Sequence, residues 1–317
     1  MFEHIVEQIK KYDSIVIFGH INPDGDCYGA QVGLRDLIKV IYPNKKVYIT
    51  GTGCPRFFNI LPNMDVVSDE VIANSLAILV DGNDLFRMED SRVKTAKAWA
   101  KIDHHIDSGS FTEGPFVVLT EASSTCEIIT HMALELKVDI TPVGATALYL
   151  GLLTDSARFQ FVNDFNLTFD ATKYLYTHGA NITGINEDLA KTDERTLAAK
   201  GYVLSHYKKS KGGVIYIIYS KHTLKRIRLS ANGASNMINL IGNVDGYPIW
   251  CSFAEYEDGR VRFEVRSNGP IVQPAAARVG GGGHAHASGA TLPSLDSDLI
   301  NSIIKDLENT IDEWRKD

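Results

Sequence analysis

Short, continuous apolar runs punctuate the first half of the chain at 14–19, 46–50, 76–81, 98–102 and 116–120. Between them lie stretches with the spacing of amphipathic helices, at 2–11, 27–42, 123–136 and 142–153. The last two carry start signals: Ser123 or Ser124 stands ahead of Thr125-Cys126-Glu127, and Thr141 precedes Pro142. Apolar strands alternating with helices predict βαβ units, whose strands are buried on both faces. Right-handed crossovers then give an α/β fold with a doubly wound, mainly parallel sheet, although strand order is not set by the pattern.

From about 164 to 208 the pattern is helical, with a break near 177–181. A second α/β pattern follows Lys211-Gly212-Gly213, with strands near 214–219, 248–256 and 260–267 and helices near 231–241 and 296–314. The expected organisation is a larger domain over 1–186, a helical connector over 187–210 and a smaller α/β domain over 211–317. The length of 317 residues suits two domains, each with its own core.

Three of the apolar runs end in metal-binding residue types. Ile15 to Phe18 leads into Gly19-His20-Ile21-Asn22-Pro23-Asp24-Gly25-Asp26, Leu76 to Val80 into Asp81, and Ala98 to Ile102 into Asp103-His104-His105. The C-terminal edge of a parallel sheet is where ligands gather. Imidazole and carboxylate without thiolate suit divalent first-row metals. Taken alone, the first segment is equally an Asx-rich turn, and Asp81 an N-cap. His104 and His105 alone would fit an exposed loop. Asp155 ends an apolar helical stretch, where the helix dipole disfavours an anion unless a cation is near.

Composition narrows the class. The chain is 44% hydrophobic and 22% charged, an ordinary globular balance. No run of about 18 apolar residues suggests a membrane span. The four cysteines, Cys27, Cys54, Cys126 and Cys251, form no Cys-x-x-Cys, and the first residues lack a signal-peptide pattern. A cytoplasmic location with free thiols is the expectation. The net charge of −7 argues against long nucleic acid as a partner, and the cations at Lys211 and from Lys221 to Arg228 read as a solvated face.

In order along Gly19 to Phe159, the segment from His20 to Asp26, then Asp81, Asp103-His104-His105 and Asp155 resemble the four motifs of the DHH phosphoesterase superfamily. The nearer resemblance is to its stand-alone nanoRNase/pAp-phosphatase group, supported by Ser123-Ser124-Thr125 and by Gly151 to Phe159. That resemblance implies two divalent ions, Mn²⁺ first and Mg²⁺ as the alternative. It places His20 and Asp24 on one ion, Asp26, His104 and Asp155 on the other, and Asp81 bridging. His105 would meet the scissile phosphate, with Asp103 orienting the ligand histidines. Two such ions clamp a phosphate and acidify a water. The chain departs from the usual motif at Cys27 and Ala30 in the first loop and at Ile106, where many relatives have proline. Cys27 beside this loop is either oxidation-sensitive or a packed thiol.

The run Gly280-Gly281-Gly282-Gly283-His284-Ala285-His286, with Arg266-Ser267 upstream, resembles the DHH-associated C-terminal domain. Glycines let backbone N–H groups approach an anion. Taken alone, the run also suits a flexible linker. The resemblance implies that Arg266 and His284 hold the non-scissile phosphate, with Gly282 and Gly283 against phosphate or base. The expected activity is hydrolysis of short RNA or DNA oligonucleotides and linear dinucleotides to mononucleotides, and of the 3′-phosphate of 3′-phosphoadenosine 5′-phosphate (pAp). A homodimer is among the permitted assemblies. An inorganic pyrophosphatase or exopolyphosphatase shares the metal chemistry, and a nucleotide sensor without turnover is the alternative of another class.

Overall fold

The computed structural model describes residues 1–82, 84–105 and 114–316; Ile106 lies outside them. The described chain forms two compact units, Met1–Lys191 and Thr192–Asp317.

In the first unit, strands β1 (Ser14–Phe18), β2 (Lys46–Thr50), β3 (Leu76–Val80), β4 (Ala98–Asp103) and β5 (Phe116–Val118) pair in parallel in the order β2-β1-β3-β4-β5. Every residue of β3 is buried, as is Ile15 to Phe18 of β1, because helices cover both faces of a doubly wound sheet. The helices are α1 (Glu3–Lys11), α2 (Gly25–Ile41), α3 (Asp69–Ala73), α4 (Thr125–Leu136), α5 (Pro142–Asp155), α6 (Phe165–Thr177) and α7 (Ile182–Ala190). Strand order reverses direction between β1 and β3, the switch point where such sheets open a crevice at their C-terminal edge.

Helix α2 begins two residues before the apolar pattern suggested. The Asp24 carboxylate accepts the N–H groups of Asp26 and Cys27 and caps the helix. Helix α5 is capped by Thr141 with Pro142 at its first position, as expected from sequence, and runs to Asp155. It packs tightly on α2. A Cβ added to Gly29 of α2 would stand 2.3 Å from the Ala147 carbonyl oxygen, so glycine is what permits this approach.

The second unit begins with α8 (Glu194–His206) and contains β6 (Lys208–Lys209), β7 (Val214–Tyr219), α9 (Lys221–Ile227), α10 (Ala231–Ser235), β8 (Ile249–Glu255), β9 (Val261–Ser267), α11 (Gln273–Arg278), β10 (Gly282–His284), β11 (Ala287–Leu292) and α12 (Ser297–Trp314). Its sheet runs β10-β11-β9-β8-β7-β6, with β7 and β8 parallel and the other pairs antiparallel. Residues 187–210, expected as a connector, comprise the end of α7 in the first unit and α8 with β6 in the second. The expected helix over 231–241 is α10 followed by a 3₁₀ turn at Ile238–Ile241. The glycine run, for which a linker was the plain reading, contains a strand. No helix among the described residues is long and apolar enough to cross a membrane.

Candidate metal centre

Four chain segments deliver the cluster. His20 and Asp24 lie in the loop after β1, and Asp26 in the first turn of α2. Asp81 follows β3, Asp103 ends β4 with His104 and His105 beyond it, and Asp155 is the last residue of α5. Asp81 adopts φ +56°, a left-handed conformation rare for a residue with a Cβ. It turns the chain at the sheet edge while its N–H donates to the Ile102 carbonyl at 3.2 Å.

Asp81 occupies the centre. Its Oδ2 lies 3.4 Å from His20 Nε2, while its Oδ1 lies 3.6 Å from His104 Nε2 and 3.6 Å from His105 Nδ1. The Thr125 hydroxyl donates to the same Oδ1 at 3.3 Å. His104 Nε2 also stands 3.2 Å from Asp155 Oδ2. Nitrogen, oxygen or sulfur atoms of three groups each fall within 4.8 Å: His20, Cys27 and Asp81; Asp81, His104 and His105; Asp26, His104 and Asp155. Asp24 stands slightly apart, its Oδ1 3.9 Å from His20 Nε2 and engaged in capping α2.

Buried Asp26 is oriented from behind. The backbone N–H groups of Thr125 and Cys126, at the start of α4, donate to its two oxygens at 2.7 and 2.9 Å. Burial, then the Asp81 and Asp155 carboxylates, push its pKa well up. Asp155 is pushed up to about 7 by burial and by Asp81 and Asp24. Burial also raises Asp81, but His20, His104 and His105 outweigh it and leave that carboxyl below its usual range.

His20 Nδ1 lies 3.0 Å from the Ile21 carbonyl, which can only accept, so the proton is on Nδ1 and Nε2 points at carboxylate oxygen. A lone pair aimed at an anion is repulsive unless a proton or a cation lies between. The bond to Asp81, then that to Cys27, pushes His20 up to about 11. The donor set, imidazoles and carboxylates with Asp81 turning its two oxygens to different histidines, fits two divalent ions.

Asp103 holds His105, accepting from its Nδ1 at 2.9 Å and its backbone N–H at 3.2 Å. That bond, against burial, raises the His105 pKa. His104, expected to share Asp103, instead has a backbone hydrogen bond at Ala122, and burial lowers its pKa. Cys27 is a packed thiol: its Sγ accepts the His20 N–H at 3.3 Å, and burial pushes it up to about 11.

His20, Asp24, Asp81, Gly82, Arg87, His105 and Asp155 line a cavity of about 170 Å³. Arg87 was missed by sequence reasoning. It is the only cation in that lining besides the imidazoles, and its backbone carbonyl is tied to the Ile21 N–H at 2.9 Å. The signal was its place six residues after Asp81, which means nothing until Met88 pairs with His20 across the site. Thr125, which aligns Asp81 and Asp26, was noted as part of a helix start and of the family resemblance, with no role of its own.

In the second unit, Arg266 on β9 and His284 on β10 flank Ala287 of β11 in register, so both point to one face of the sheet. Arg266 is held by Glu264 at 3.0 Å and by the Val265 carbonyl at 2.9 Å. Gly283, at φ +136°, would bring a Cβ within 2.6 Å of the Ala287 carbonyl oxygen. Gly282 has open space where a Cβ would stand, so packing alone does not demand glycine there.

The sequence matches the DHH family, N-terminal domain, over residues 14–152 and the DHHA1 domain over 202–313. It is 37% identical to the bifunctional oligoribonuclease and PAP phosphatase NrnA of Mycoplasma genitalium, covering 95% of this chain and 96% of the relative. It is 30% identical to the Bacillus subtilis protein of the same name, covering 99% of each. The fold is shared with an exopolyphosphatase-related protein from Bacteroides fragilis, at a TM-score of 0.84 and 22% identity over 99% of this chain and 96% of that one.

Proposed function

The chain belongs to the DHH family, and from that premise we propose that it is a metal-dependent phosphohydrolase acting on very short oligonucleotides and on pAp. The observation that carries this reading is Asp81, whose two oxygens face separate imidazoles while Arg87 and His105 border the same cavity. The relatives named oligoribonuclease and PAP phosphatase support the substrate class.

His20 and Asp24 would hold one divalent ion, Asp26, His104 and Asp155 the second, and Asp81 both, with Mn²⁺ the expected metal. Ions bound there supply Lewis-acid polarisation of the phosphate and acidify a water at neutral pH. The chain's own residues do the rest. Thr125 and the N–H groups at the start of α4 fix the carboxylates. His105, protonated to higher pH than a free imidazole by its bond to Asp103, donates to a phosphate oxygen. Arg87 offsets the remaining phosphate charge through its planar fork. Water attacks phosphorus, the P–O bond to the departing nucleoside oxygen breaks, and that oxygen takes, net, the proton that the water gives up. In the second unit, Arg266 and His284 would hold a phosphate, with Gly282 and Gly283 against phosphate or base.

The test is Mn²⁺-dependent turnover of pAp, pApA, a five-nucleotide RNA, a twenty-four-nucleotide RNA, pyrophosphate and polyphosphate, with Asp81→Ala/His104→Ala as control. AMP release from pAp or the short RNAs, absent in the control, is expected. Turnover of pyrophosphate or polyphosphate alone would replace the nucleotide reading with an inorganic one. Tight nucleotide binding without turnover would make the chain a sensor.

A further inference from the structure

The cations between Lys221 and Arg228, read from sequence as a solvated face, divide into two sets. Lys221 and Lys225 lie near Glu255 and Glu257, at 3.8 and 3.4 Å. Arg226 and Arg228 have no such partner among the described residues. Together with Arg195 they border a pocket of about 540 Å³ that is also lined by Glu194, Ala198, Ala199, Tyr202 and Ile227. That volume is within the range of small-molecule sites.

The pocket's walls are fixed by packing. Its two walls, α8 and α9, share one core through buried Val203 and Leu224. The Arg226 guanidinium sits 5.4 Å over the Tyr202 ring, and Tyr202 in turn stacks on His206 at 3.9 Å and 13°. Arg228 ends α9 at φ +56°, with its N–H returned to α9 carbonyls, which reverses the chain at the pocket rim. Two acids precede Arg195 in the chain: Asp193, whose oxygens accept the Thr196 N–H at 2.7 Å and hydroxyl at 3.0 Å, and Glu194, which lines the pocket. Three guanidinium groups thus face one lining carboxylate, Glu194, in a chain of net charge −7.

We infer that this pocket is a second anion site, which takes the phosphate of a nucleoside monophosphate on Arg195, Arg226 and Arg228. The planar fork of arginine matches phosphate oxygens in pairs, and Ala198, Ala199 and Ile227 offer an apolar floor to the base. The site lies outside the metal centre, so its occupancy needs no turnover.

Titration calorimetry of the full chain in EDTA tests this, with AMP and a 5′-phosphorylated trinucleotide as probes. EDTA removes divalent ions from the metal centre and leaves the arginine pocket intact. Binding is expected to weaken by about tenfold or more per arginine lost in Arg226→Ala and Arg226→Ala/Arg228→Ala, and to recover in part in Arg226→Lys. In Arg266→Ala/His284→Ala, which removes the separate phosphate site proposed on β9 and β10, the binding event lost in the arginine variants is expected to persist, and unchanged melting temperatures confirm that the substitutions leave the fold intact. The tighter probe identifies a free nucleotide or an RNA 5′ end as the source of the phosphate. Parent-like binding by the double arginine variant, loss only in Arg266→Ala/His284→Ala, or no binding by the parent chain would overturn the inference. Each of these results is independent of whether the metal centre hydrolyses pAp.

Discussion

Replacing Gly29 by alanine adds one methyl group to buried helix α2, one turn after Asp26. Helix propensity alone predicts a gain of about 1 kcal/mol. The structure predicts a loss. The new Cβ would stand 2.3 Å from the Ala147 carbonyl oxygen, against 3.4 Å for ordinary contact, and the obstacle is backbone, which cannot swing aside. Helices α2 and α5 must therefore separate by about 1 Å. Overpacking of this kind costs roughly 1–3 kcal/mol; at the upper end, less the propensity gain, the net is about 2 kcal/mol. For a unit of this size the melting temperature should fall by roughly 4–8 °C. The same movement displaces Asp26 on α2 from Asp155 on α5, two members of one ligand group, and a misplacement of about 1 Å can cost on the order of a hundredfold in rate. Calorimetric melting and Mn²⁺-dependent kcat on pAp measure both effects. A variant that melts at or above the parent temperature with parent kcat would refute the close-packing argument.

Arg87→Ala should raise KM for pAp by about tenfold or more while kcat changes less, since the loss is of a charge-assisted phosphate contact; steady-state kinetics checks the split. Asp103→Asn removes the carboxylate that raises the His105 pKa. His105 then loses its proton at lower pH, and the alkaline limb of the pH–rate profile should move to lower pH. Stripping metal should also invert a pH dependence of stability. In the metal-free chain Asp155 titrates near 7, above its unfolded value. Its contribution is therefore fully present below the unfolded carboxylate range and is lost as pH rises through 7, so the stripped protein should melt higher at pH 6 than at pH 8. Saturating Mn²⁺ at about 100 times Kd should add about 2.7 kcal/mol and favour the higher pH, which thermal scans with and without EDTA will show.

What the sequence determined was the parallel α/β character of the first unit and the set of residues at its sheet edge. Local physics is sufficient for both. A strand buried on two faces must be apolar throughout, as β3 is from Leu76 to Val80, and a chain leaving it is free to turn polar only at the end. Asp103-His104-His105 and the segment from His20 to Asp26 are legible because their residue types leave little else for them to do together. The family resemblance then supplied roles that spacing alone leaves open.

The tertiary structure decided everything that depends on closure between distant segments. Strand order brings the ends of β1, β3 and β4 side by side. The N-terminus of α4 lands on Asp26 from about a hundred residues away. Arg87 reaches the cavity because the backbone at Arg87 and Met88 pairs with the loop after β1, at Ile21 and His20. The glycine run, ambiguous as sequence, becomes strand β10 because β11 is there to pair with it. Arg226 and Arg228 look no different in sequence from Lys221 and Lys225. Only the fold gives carboxylates to the lysines and leaves the arginines facing a pocket, because ion pairing depends on distance in space and not on spacing along the chain.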